Sequence, residues 1–90
     1  MANKKDLKRT INNVCSELIS ESIATVLYEC KKDVDNVDAI ISAVLKIRDD
    51  YVRRISHPEP GMPQKDYFRH LIIHFNEQAS EIVDQILNLD

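Results

Sequence analysis

Pro58-Glu59-Pro60-Gly61-Met62-Pro63 holds every proline and the single glycine of this 90-residue chain. Proline breaks a helix interior and glycine weakens one, so residues of both kinds punctuate helical sequence. Confined to one short stretch, they leave the rest of the chain free to be helix. The stretch divides the sequence into a long N-terminal arm and a C-terminal segment of about one helix.

On the C-terminal side, Pro63 suits the start of a helix, where its missing N–H costs nothing. Phe68, Leu71, Ile72, Phe75, Ala79, Ile82, Val83 and Ile86 then recur at three- and four-residue spacing, which predicts an amphipathic helix over about 63–87. On the N-terminal side, Val37, Ile40, Ile41, Val44, Ile47, Tyr51, Val52 and Ile55 form a second stripe, predicting a helix over about 37–55 and a loop over about 56–62. Asp35 or Asn36 is the expected cap, with Asp38 in the first turn. Asp49 with Arg53, and Asp50 with Arg54, stand at i,i+4 in the favourable acid-first order.

The first helix is expected over about 4–32. Its stripe begins as Leu7, Ile11, Val14, Cys15, Leu18 and Ile19. It then shifts round to Ile23, Val26, Leu27 and Cys30. No Pro or Gly forces a break at Ser20–Ser22, so one continuous helix is expected. No strand-type alternation competes. The reading is an all-α, three-helix antiparallel bundle, a single domain over 1–90, with a long first helix and completed by dimerisation. A first helix of about 42 Å against about 28 Å for the second would overhang its partner. Exposed apolar surface of that kind marks interfaces. The expected interface is Ile23, Val26, Leu27 and Tyr28, and the expected state a homodimer or larger.

Composition bounds the function. Hydrophobic residues make up 43%, charged residues 30%, and the net charge is −3. Dedicated nucleic-acid domains are usually basic, so nucleic acid is not the expected partner. No apolar run is long enough for a membrane span. The N-terminal lysines are not followed by the apolar region of a secretory signal. Cys15 and Cys30 therefore read as reduced thiols of a cytoplasmic protein, each a small apolar residue.

Candidate sites are few. His70 and His74 stand at i,i+4, which puts both rings on one helix face, with Glu77 and Glu81 continuing that face. Leu71 follows His70 where a zinc-protease signature requires Glu. The face lies opposite the apolar stripe, so it reads as solvated, and no metal or cofactor is expected. Arg48 falls inside the apolar stripe of the second helix. It can snorkel to water, pair with Glu29, or contact an anion or protein partner. Lys4, Lys5, Lys8 and Arg9 crowd the start of the first helix, where cations oppose the dipole, and form a second candidate for anion or partner contact. No aromatics interleave with them for base stacking. Tyr28, Tyr51 and Tyr67 border apolar stripes, with hydroxyls expected outward. The resulting expectation is a non-enzymatic helical interaction or oligomerisation module. The alternative is a small nucleic-acid-associated protein using the basic N-terminus with Lys46, Arg53 and Arg54.

Overall fold

Three helices make up the computed structural model: α1 (Lys4–Tyr28), α2 (Val34–Ser56) and α3 (Gln64–Leu87). The structure describes residues 3–28 and 34–88, the side chains of Tyr28 and Val34 excepted. Cys30, Lys31 and Lys32 lie outside the described residues.

Local chemistry sets each start and stop. Asn3 caps α1: its Oδ1 accepts from the Asp6 N–H at 2.9 Å, and its carbonyl accepts from the Leu7 N–H at 2.9 Å. Such a cap contributes about 1 kcal/mol. The sequence reading began α1 at the same residue, Lys4, and missed only this capping role. The helix then runs unbroken through Ser20–Ser22, as expected.

α2 begins at Val34, three residues before the expected start near Val37. Asp35 thus lies inside the first turn, where its charge favours the helix dipole, and does not cap it. The extension matters for length. The helices have 25, 23 and 24 residues, so α1 is the longest by a single residue. The large overhang expected of α1 is absent among the described residues.

The Pro-rich stretch behaves as its chemistry dictates. The His57 N–H still bonds the Arg53 carbonyl at 3.0 Å, and the chain then leaves helix. Gly61 takes φ +86°, the left-handed region that disfavours side chains. Pro63, at φ −57° and ψ 134°, is the last residue before α3 and not the first within it. Its carbonyl accepts the first helical bond, from the Tyr67 N–H at 2.9 Å. The Tyr67 hydroxyl donates to the Arg54 carbonyl at 3.1 Å and ties the α2–α3 hairpin shut.

The bundle runs up, down, up, so α2 is antiparallel to both neighbours while α1 and α3 are parallel. It is a slender rod of 49 × 18 × 16 Å. Its radius of gyration is 14.8 Å, against about 12 Å for a compact chain of this length. A rod this thin has one line of core. Leu7, Ile11 and Cys15 enter it from α1, Val37, Ile40, Val44, Tyr51 and Ile55 from α2, and Leu71, Phe75, Ile82 and Ile86 from α3.

Two departures from the expected stripes are informative. Val83 is 42% exposed. It lies about 100° round from its neighbour Ile82, which takes the core position. Ser22 is fully buried. The geometric phase of Leu7, Ile11, Cys15 and Leu18 runs on to Ser22, whereas the apolar pattern shifts to Ile23. Its hydroxyl donates to the Leu18 carbonyl at 2.8 Å, so the burial leaves no orphan donor. Tyr51 departs differently: its hydroxyl is buried along with its ring.

Candidate functional site

Parallel packing of α1 on α3 creates a face whose two halves differ in charge. At the loop end, the first turns of both helices enclose an open groove of about 1220 Å³. Leu7, Phe68, Ile72 and Ile73 form its floor, and Lys4, Lys5, Lys65 and Arg69 its rim. Further along the same two helices lies a shallower groove of about 480 Å³. Val14, Leu18, Ala79 and Val83 floor it, with Glu17 and Glu21 beside them. The face is therefore apolar along its length, basic at one end and acidic at the other.

The basic end coincides with the positive ends of two helix dipoles. Neither α1 nor α3 has a basic residue in its last turn. Asp6 and Asp66 partly offset the first turns, and Asp66 pairs with Arg69 at 3.0 Å. Each uncompensated cation at a helix start costs about 0.3–1 kcal/mol.

The four expected interface residues separate. Ile23 is 43% and Leu27 67% exposed, but Val26 packs against the core. Val26 is therefore not a free contact residue: about 100° per residue carries it back toward the Ser22 and Cys15 side. The side chain of Tyr28 lies outside the described residues.

Of the basic candidates, Lys4 and Lys5 line the large groove, while Lys8 is half-buried and Arg9 exposed. The sequence reading placed Lys65 and Arg69 in no candidate site. The signal that finds them is topological: in an up-down-up bundle the starts of α1 and α3 share one end.

Arg48 is half-buried, and its head turns to the adjacent Asp49, whose Oδ1 accepts from Nε at 3.3 Å and from Nη2 at 3.2 Å. Asp49 thus pairs with Arg48 and not with Arg53, while Asp50 pairs with Arg54 at 3.0 Å as expected. Glu29, the other partner considered, lies outside the described residues. Cys15 is a buried free thiol. Burial pushes its pKa above the ordinary value, and the Arg48 charge partly counters that.

His70 and His74 are exposed, and His74 Nδ1 stands 3.6 Å from Glu77 Oε2. Among the described residues, no three His, Cys, Asp or Glu side chains gather where they could hold a metal ion. No helix among them is long and apolar enough to cross a membrane. Comparison with known protein families, curated proteins and solved structures finds no match to this chain.

Proposed function

We propose that this chain is a non-enzymatic helical module that acts by protein–protein association, with self-association its primary mode. The observation that carries the reading is the row of apolar side chains left outside the core along α3. Ile73 and Val83 are exposed, and both border the α1/α3 grooves. Exposed apolar surface rimmed by charge is characteristic of interfaces. Ile23 and Leu27 add apolar surface on α1, but they adjoin residues 29–33 in sequence. The α1/α3 face is bounded by described residues throughout. A buried free thiol at Cys15 accords with a reducing, cytoplasmic setting.

The test is solution mass by light scattering at about 50 μM, a concentration at which a micromolar interface is occupied. A mass of twice 10.4 kDa or more is expected. A strict monomer that captures no helical partner would overturn the reading.

A nucleic-acid role has one observation in its favour. The antiparallel α1–α2 packing brings Arg53 and Arg54 to the same end as Lys4, Lys5, Lys8 and Arg9. Anisotropy of labelled single- and double-stranded DNA at 50 and 200 mM salt separates the two readings. Phosphate contacts would make binding fall steeply with salt.

A further inference from the structure

We infer that the α1/α3 face is the mating surface of a two-fold symmetric dimer in which a second copy lies antiparallel, basic half against acidic half. The inference rests on the association reading above and specifies its surface, register and partner.

Three observations converge. The first is charge. Lys4, Lys5, Lys65 and Arg69 rim one groove of the face, and Glu17 and Glu21 rim the other. Turning a second copy end for end brings each set against its opposite. The same pattern in parallel would set like charges together, which an interface avoids.

The second is register. Leu7 and Phe68 line one groove and Leu18 and Ala79 the other, so α1 and α3 run side by side along the whole face. A two-fold axis crossing near Asn13 and Ile73 sets Lys4 and Lys5 of one copy against Glu21 and Glu17 of the other, α1 against α1. It also sets the exposed Ile73 close to its own symmetry mate, a seam that isologous contacts permit.

The third is the helix dipoles. The starts of α1 and α3 bear cations, and their last turns bear none. Within one chain, Asp6, Asp66 and the antiparallel α2 offset these dipoles in part. An antiparallel copy sets each positive end beside a negative one. The face is about 36 Å long on a rod 18 Å across, a size suited to a small specific interface.

A second copy fits better than a polyanion, because a polyanion would be repelled along the Glu17–Glu21 half. The experiment is sedimentation equilibrium of the full chain with paired charge reversals. Glu17→Lys with Glu21→Lys makes the α1 side of the face basic throughout, and Lys4→Glu with Lys5→Glu makes it acidic throughout. Each double variant is expected to weaken self-association roughly ten-fold or more, since each sets like charges together. Mixing the two is expected to restore a dimer, and that restoration cannot come from misfolded chains. Helical content by circular dichroism accompanies each measurement. A reference variant, Leu27→Lys, should leave the dimer within about three-fold of the parent, well short of the change at a contact residue.

Self-association that survives both double variants, or that is lost only with Leu27→Lys, would overturn this surface yet leave the association reading standing. A parent chain that stays monomeric at about 50 μM would overturn both the surface and the self-association. So would a monomer whose basic end binds heparin or DNA more tightly after Glu17→Lys and Glu21→Lys.

Discussion

Tyr51 meets Phe75 edge to face, with ring centroids 5.4 Å apart and planes inclined at 70°. The pair locks α2 to α3 at mid-bundle. The Arg54 guanidinium lies over the Tyr51 ring, 5.0 Å from its centroid. The Tyr51 hydroxyl is buried and finds no hydrogen-bond partner among the described residues. A buried hydroxyl without a partner carries a desolvation cost of about 1–3 kcal/mol.

Tyr51→Phe is therefore expected to raise stability, by about 1 kcal/mol, because it removes the orphan group and keeps both ring contacts. Urea midpoints of the parent and variant give the answer. A loss of stability instead would reveal a partner for the hydroxyl, such as a buried water.

The same residue bears on alkaline pH. Burial, the dominant cause, raises the Tyr51 pKa above its ordinary 10.0; Asp50 and Glu77 add to the rise and Arg54 opposes it. Cys15 is likewise raised above 9.0. The folded state then keeps protons that the unfolded chain releases, so stability is complete below about pH 9 and falls as pH rises beyond it. Thermal melts from pH 7 to 11 should show the decline. Cys15→Val should flatten it from its onset and Tyr51→Phe above pH 10. Identical slopes in all three proteins would remove these groups as the cause.

Truncating Phe75 to Ala should cost about 3–5 kcal/mol, as for other buried aromatics. Ile73 is 49% exposed, so Ile73→Ala should cost under about 1 kcal/mol of monomer stability. Urea midpoints at two protein concentrations separate folding from association. A severe Ile73→Ala beside a mild Phe75→Ala, at both concentrations, would contradict the helical phase of α3.

At Gly61 an added Cβ would meet no heavy atom within 4 Å, so space is not the constraint. The constraint is φ +86°. Gly61→Ala should cost about 1–2 kcal/mol from the left-handed backbone alone, and Gly61→Asn, which tolerates that region better, should cost less. Equal stability of all three would mean that the loop relaxes freely.

His70→Gln with His74→Gln should leave stability within about 0.5 kcal/mol, the range of plain surface changes. A stoichiometric zinc that survives dialysis and disappears in this variant would refute the solvated reading of that face.

What could be read from the residues followed periodicity. The stripe of α2 transferred to the structure whole, because Val37, Ile40, Val44, Tyr51 and Ile55 keep strict helical spacing. The Pro-Gly stretch located the loop, since few residues break a helix so firmly. Helix one misled at its C-terminal half. There Ile23 and Leu27 outweighed Ser22 in hydropathy, while the backbone phase continued to Ser22 regardless. The two-signed face was hidden for another reason. It depends on which helix ends share a pole, a property of topology that no local window contains. Lys65 and Arg69 gain their meaning only beside Lys4 and Lys5.

Ser22 has a consequence for how the rod opens. A serine adds little apolar burial, so the single line of core loses cohesion at its level. Beyond it, among the described residues, α1 adds the partly buried Val26 to the core, whereas toward the loop Leu7, Ile11 and Cys15 are all buried. Opening should then be graded along α1 and not all-or-none. Amide exchange is expected to be slowest around Ile11–Cys15 and to quicken beyond Ser22, as a sub-global unit loosens from that pole. Ser22→Ala removes the hydroxyl but restores little volume, so it should shift this gradient only slightly. Ser22→Val, which fills more of the position, should move the boundary of slow exchange toward Val26.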